Sequence, residues 1–218
     1  MIAGIDIVYL QTSYLRAGDT TAIDEAAVWL RRGLPVVFPT DTVYGVGVMP
    51  FDEAAIERLY QVKERDLSKG IPILLADAAD LERVAGSISP FAQRLIEQFW
   101  PGPLTLIVPR APGLPDRISP NANIAVRMPD HAVARAFIRA AGGAVATSSA
   151  NLSGQQPATT GAAALTALEG RVAVVLDDGP SPGEQPSTIV DCTSARPVMV
   201  RLGPLSATDL DIDQVPAG

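Results

Sequence analysis

Hydroxyls, amides and cations recur in this chain where apolar runs end, a pattern suited to binding something anionic and polar. The first cluster is Pro39-Thr40-Asp41-Thr42-Val43-Tyr44-Gly45-Val46-Gly47, directly after Val36-Val37-Phe38. Open α/β sheets keep their ligands where strands run out into such turns. Lys63, Arg65 and Lys69 then fall close together, and Ser148-Ser149-Ala150-Asn151 follows the apolar run at 144–147. Arginine offers a phosphate or carboxylate a two-pronged fork, and lysine a mobile point charge. Arg127 interrupts the apolar stretch Ile124-Ala125-Val126-Arg127-Met128. A buried guanidinium must meet an anion, which is either a protein carboxylate or a ligand.

Each of these features also has a plainer explanation. Lys63, Arg65 and Lys69 stand beside Glu64 and Asp66, as a solvated helix end with local ion pairs would. Gly45 and Gly47 are followed by Pro50, so the G-x-G-x-x-G spacing fails, and there is no Walker A sequence. Those glycines would then relieve a tight turn that Thr40 and Thr42 close. Ser187 and Arg201 lie at the start and end of late apolar runs. His131, the only histidine, follows Pro129-Asp130 at a helix start and reads as a cap or packing residue. Cys192, the only cysteine, excludes an internal disulfide and reads as a small core residue. No Cys/His cluster has zinc-ligand spacing.

Composition narrows the class. A chain of 218 residues with net charge −7 and 5% aromatic residues fits one large enzyme-like domain. The acidic balance and the scarcity of aromatics oppose a protein built to grip RNA or DNA. No signal peptide or membrane-crossing run is visible, so a cytoplasmic protein is expected. Strands are expected at Ile5–Leu10, Leu34–Phe38, Val43–Met49, Ile71–Ala76, Leu104–Val108, Ile124–Met128, Ala144–Thr147, Val172–Leu176, Thr188–Asp191 and Val198–Leu202. Helices are expected at Asp19–Arg32 (capped by Asp19 or Thr20), 52–65, 78–85, Pro90–Trp100, Asp130–Ala141 and Gly161–Leu168. In the second helix Ala55, Ile56, Leu59, Tyr60 and Lys63 follow helical spacing. Alternating strands and helices, not all joined by crossovers, give an α/β fold: a twisted mixed parallel and antiparallel sheet with flanking helices. The catalytic domain would span 1–205, with 206–218 a short frayed tail.

Seven ordered segments together resemble the YrdC-like family of L-threonylcarbamoyladenylate synthases. They are Pro-Thr-Asp-Thr-Val-Tyr-Gly-Val at 39–46, Lys-Glu-Arg-Asp-Leu-Ser-Lys-Gly at 63–70, Phe-Trp-Pro-Gly-Pro-Leu-Thr at 99–105, Ala-Val-Arg-Met-Pro-Asp-His at 125–131, Ser-Ser-Ala-Asn-Leu-Ser-Gly at 148–154, Pro-Ser-Thr-Ile-Val-Asp at 186–191 and Arg-Leu-Gly-Pro-Leu at 201–205. The resemblance implies a concave, positively charged ligand cleft. It implies a nucleotidyltransferase that joins L-threonine, bicarbonate or CO2, and ATP into threonylcarbamoyl-AMP and pyrophosphate, usually with Mg2+. The product feeds tRNA threonylcarbamoyladenosine modification through a downstream transferase machinery, with direct contact to double-stranded tRNA left open. By the same resemblance Thr40, Arg127, Thr147 and Ser187 contact threonine. Arg65, Lys69, Asn123, Ser149, Asn151 and Arg201 contact the nucleotide, and Lys63, Arg65 and Lys69 offset phosphate charge. No dedicated Mg2+ ligand is evident, with Asp177 and Asp178 as candidates. The chain departs from the usual pattern at Asp66, Gly70, Ala132 and Asp178-Gly179-Pro180, positions that shape loops, and the extra C-terminal domain of longer members is not expected. Two other readings compete: an RNA-binding module, and a carbamoyl-transfer domain like those of hydrogenase maturation.

Overall fold

The computed structural model describes residues 10–183 and 185–212. Its ten strands form one sheet: β1 (Ser13–Arg16), β2 (Val36–Phe38), β3 (Gly45–Val48), β4 (Ile73–Leu75), β5 (Leu104–Pro109), β6 (Asn123–Arg127), β7 (Ala144–Ser149), β8 (Val174–Asp177), β9 (Thr188–Asp191) and β10 (Val198–Arg201). Their order across the sheet is β1-β8-β2-β3-β7-β4-β6-β5-β9-β10. The sheet is mixed: β8 runs parallel to β1 and β2, β4 to β6, and β5 to β9, whereas β3 is antiparallel to both neighbours.

Helices cover the two faces unequally. On one face α1 (Ala22–Arg31) and α4 (Ala132–Ala141) pack over β2, β4, β7 and β8. Phe38 and Phe137 meet there with ring centroids 4.9 Å apart. The other face carries the larger core, with α2 (Glu53–Lys63), α3 (Pro90–Phe99) and α5 (Gly161–Leu168). Strand alternation decides what the uncovered part of the first face displays. Leu104, Leu106, Val108, Ile124, Val126 and Val190 point into the larger core, so Thr105, Ile107, Asn123, Ala125, Arg127 and Ile189 point the other way. The register makes the change of character explicit. Val145 pairs with Leu74 beneath the helices, and Leu74 pairs with Arg127 beyond them.

Most expected elements stand where the sequence placed them, with ends shifted by up to three residues. The expected strand Ile5–Leu10 lies outside the described residues except for Leu10, which is not in a strand, while β1 begins at Ser13. Thr21, not Asp19 or Thr20, caps α1, and its side chain makes no capping bond. The 78–85 helix is a 3-10 helix over Ala78–Arg83. Strand β7 continues through Ser148 and Ser149, which were expected in a loop. Gly45 and Gly47 lie inside β3 rather than in a turn. A Cβ on Gly45 would sit 2.7 Å from Thr147 Cγ2, and one on Gly47 2.5 Å from Val145 Cγ1, so close packing excludes a side chain at both.

The largest correction concerns the end of the chain. Ala207, Leu210 and Ile212 are buried in the larger core, so the segment is no frayed tail as far as residue 212. Its turn is tied by Ile212 N–H to Ala207 O at 3.1 Å. Thr188 Oγ1 anchors it further by donating to Leu205 O and accepting from Gly203 and Leu205 N–H. Leu210→Ala therefore removes buried volume from the core and lowers unfolding free energy by about 2–4 kcal/mol. Urea titration checks this, and an unchanged midpoint would restore the frayed reading.

Candidate active site

The exposed part of the first sheet face is the floor of a cleft of about 460 Å3, within the range of small-molecule sites. Thr105, Ile107, Ala125, Arg127 and Ile189 form its base, and the ends of β7 and β10 contribute Thr147, Ser149 and Arg201. The segment before β3 supplies Thr40 and Thr42 as one wall, and the chain around Arg65, Ser68 and Gly70 supplies another. Three arginines line this cleft, and its described lining contains no Asp or Glu. A chain of net charge −7 thus keeps its described acids out of one cavity.

The three arginines are held differently. Arg127 is almost wholly buried: Nε donates to Gly102 O at 3.0 Å, Nη1 to Thr42 Oγ1 at 2.8 Å, and Nη2 to Asp41 Oδ1. Of the two expected anions Arg127 has the protein carboxylate, and it also lines the cleft. Arg201 rests on Ser187 O through Nε and Nη2, at 3.0 and 2.8 Å. Arg65 donates from Nη2 to Gly70 O at 2.9 Å. Burial lowers the pKa of all three from the ordinary arginine value, opposed by Asp41 at Arg127 and by Tyr60 at Arg65. Carbonyl partners orient Arg65 and Arg201 without neutralising them.

Hydroxyls fill in between. Thr105 Oγ1 and Ser187 Oγ lie 2.7 Å apart. Thr40 Oγ1 donates to Val43 O at 2.6 Å and accepts from Thr42 N–H at 3.2 Å, closing the turn. Two site segments are joined through their backbones: Ala150 N–H donates to Tyr44 O, and Tyr44 N–H to Ala158 O, both at 2.8 Å. Tyr60 Oη reaches Lys69 O at 3.0 Å and Arg117 O at 3.2 Å, steadying the arginine-bearing loop.

Of the residues singled out in the sequence, Thr40, Arg65, Asn123, Arg127, Thr147, Ser149, Ser187 and Arg201 converge on the cleft. Lys69 is exposed and outside its lining. Lys63, expected to offset phosphate charge, and Asn151, expected to contact the nucleotide, are also outside the lining. Lys63 is neither solvated nor ion-paired. Buried to 1% exposure, its Nζ donates to Ser149 O, Asn151 O and, at 3.0 Å, Asn151 Oδ1. Asn151 Nδ2 in turn donates to Leu152 O and Gln155 O. The left-handed backbone at Glu64 turns the chain immediately after this lysine. Lys63 thus braces the 149–151 turn from behind. The helical spacing that placed Lys63 with Ile56, Leu59 and Tyr60 was the signal for burial.

Asp177 and Asp178 are likewise outside the cleft lining. Asp177 Oδ1 lies 3.0 Å from Tyr44 Oη, and Asp178 faces His131 at 3.8 Å. Among the described residues no group of three or more His, Cys, Asp or Glu could hold a metal. His131 caps α4 through Nδ1. Cys192 is buried, which pushes its thiol up to about 12, an inert core residue. Sequence reasoning gave no role to Asp41 or Thr105. The signal was present in β5, where Thr105 is a single hydroxyl in an apolar strand.

A family model described as telomere recombination, for the Sua5, YciO and YrdC proteins, matches residues 28–203. The threonylcarbamoyl-AMP synthase of Bacillus subtilis is 37% identical over 194 residues, covering 87% of this chain and 55% of that protein. The structure of Pyrococcus abyssi Sua5 complexed with L-threonine superposes with a TM-score of 0.87 at 33% identity, covering 92% of this chain and 59% of the other. Escherichia coli YciO gives a TM-score of 0.81 at 25% identity, covering 92% and 99%. The chain therefore spans little more than half the length of the first two. No helix among the described residues is long and apolar enough to cross a membrane.

Lys63 carries a measurable consequence. Burial, with Arg65 nearby, lowers its pKa from 10.5 to about 7. Below about pH 7 both folded and unfolded chains hold this proton, and the full cost of burying the charge is present. Between about 7 and 10.5 the unfolded chain binds more protons, so this group makes stability rise with pH. Lys63→Met should remove that rise. Unfolding free energies of both proteins from about pH 6 to about pH 9 test it. Parallel profiles would mean the oxygen cage keeps the ammonium protonated.

Proposed function

The chain belongs to the Sua5/YciO/YrdC family, and from that premise we propose that it is an L-threonylcarbamoyladenylate synthase, a nucleotidyltransferase acting on L-threonine, bicarbonate or CO2, and ATP. The observation that carries the reading is the pairing of three arginines, without a carboxylate among the described lining residues, with the hydroxyls of Thr40, Thr105, Thr147 and Ser187. Such a cleft suits two anionic substrates and can read a hydroxyl. Sites built to bond a hydroxyl reject analogues lacking it far better than apolar pockets reject a methyl change.

Arg127, held in plane on the floor, takes the amino-acid carboxylate. Thr40, Thr147 and Ser187 contact its hydroxyl or amine. Arg65 and Arg201, whose charges are not neutralised, take the nucleotide phosphates, with Asn123 and Ser149 alongside. The threonine amine adds to CO2, forming an N–C bond and releasing one proton, which gives a carbamate. A carbamate oxygen then attacks the α-phosphorus of ATP. The bond from that phosphorus to the bridging oxygen breaks, and pyrophosphate leaves with its electron pair. Carbamates decompose readily, so holding this intermediate beside ATP is the main task of the cleft. Residues in the cleft do not form a cation cage. Mg2+ would enter as part of the nucleotide substrate, with phosphates and water as its ligands. We place the enzyme in the cytoplasm, supplying a machinery that transfers the threonylcarbamoyl group to tRNA.

Pyrophosphate release from ATP should require both L-threonine and bicarbonate and should fall when valine replaces threonine. Arg127→Lys keeps a charge against Asp41 but loses the fork, and is expected to raise the threonine KM about tenfold or more, with the ATP KM nearly unchanged. Release that ignores threonine would overturn the assignment, and activity with carbamoyl phosphate instead would favour the carbamoyl-transfer reading.

A further inference from the structure

One buried acid stands next to the site without lining it. The Asp41 side chain is 10% exposed and pairs with Arg127, itself 6% exposed. Arg127 has five N–H donors, and the structure uses three: Nε on Gly102 O, Nη1 on Thr42 Oγ1, and Nη2 on Asp41 Oδ1. Two remain, one on each terminal nitrogen, which is the number a single carboxylate takes in a two-pronged contact. The three anchors come from two separate parts of the chain, so they fix the guanidinium plane as well as its position.

Asp41 is itself held. Its backbone oxygen accepts Gly183 N–H at 3.0 Å, and a Cβ on Gly183 would lie 2.6 Å from that oxygen and 3.0 Å from Thr42 Cα. Gly183 therefore lies tightly against Asp41. Charge separates the arginines further. Arg201 is close enough to press on Arg127 electrostatically, yet among the described residues only Arg127 faces a carboxylate. Arg65 and Arg201 rest on carbonyls and keep their full positive charge.

We propose that Asp41 is a positioning residue that reserves Arg127 for a singly charged carboxylate and turns the triphosphate toward Arg65 and Arg201. The inference rests on the two-substrate assignment above. A neutralised arginine still donates two N–H groups, which satisfies a carboxylate. It offers little net attraction to a group carrying several negative charges. Asp41 acts only through Arg127, because its own side chain is not part of the cleft lining.

Calorimetric titration with L-threonine and with inorganic triphosphate tests this on the full chain, as wild type, D41N, D41E and the double variant D41N/R127Q. D41N keeps the shape and one acceptor but removes the charge. Expected for D41N is threonine affinity about tenfold weaker and triphosphate affinity about tenfold stronger, with the triphosphate now displacing threonine. The triphosphate gain should vanish in D41N/R127Q, which tells Arg127 from the other two arginines. D41E, with the charge restored, should lose the triphosphate gain, and it provides the comparison with wild type if D41N fails to fold. Unchanged triphosphate affinity in D41N, or a gain that survives in the double variant, would overturn the proposal, as would D41E binding triphosphate more tightly than wild type. Should wild type bind triphosphate but no threonine, the synthase reading fails while the triphosphate results still judge Asp41.

Discussion

Burying a cation costs several kcal/mol even after the surroundings relax, unless oxygens of the protein close around it. This fold buries two, Lys63 against the 149–151 turn and Arg127 against the 41–42 segment. Lys63 is met by two carbonyls and an amide oxygen of one turn. Arg127 is met by a carbonyl, a hydroxyl and a carboxylate. None of these partners can be absent without stranding a charge, so segments far apart in sequence are held in one arrangement. The order of the sheet serves the same end, because β3, β7, β4 and β6 are consecutive neighbours and bring those segments side by side.

The opposite sign of charge is equally organised. The chain is acidic as a whole, yet its cleft presents arginines and hydroxyls. Fixed cations in a concave, low-dielectric setting focus potential and draw anions inward. Acids elsewhere are used for surface bracing. Asp77 binds Arg135 and Arg139, and Asp116 binds Arg110, none of them part of the cleft lining. Net charge therefore says little about what such a protein binds, whereas the distribution of its arginines says a great deal.

Much of the fold was legible because each strand is an apolar run and each helix has a period and a stop. Gly161–Leu168 was readable to the residue. Order within the sheet was not, since pairing β7 with both β3 and β4 depends on contacts far apart in sequence. The end of the chain misled because Ser206 to Ile212 is acidic and short of apolar residues, and three of them, Ala207, Leu210 and Ile212, suffice to dock it. In the site, the sequence singled out most of the residues that converge. It missed the difference between lining a cleft and supporting one from behind. Lys63 and Asn151 have the side chains of ligand contacts, and only the direction of α2 and the turn after β7 shows that they bind each other.

The backbone bonds between the 44–45 region and the 150–158 region have a consequence for how such proteins diverge. Tyr44 both donates to Ala158 and accepts from Ala150, and Ala158 donates back to Ala150 at 3.3 Å. These three residues form a closed ring of main-chain contacts independent of side-chain identity. Gly45 fits its neighbour Thr147 only because it has no Cβ. Two stretches separated by about a hundred residues thus form a single structural module. A chimera that exchanged one of them alone would mismatch both backbone and packing, whereas moving the pair together would carry the site's geometry across intact.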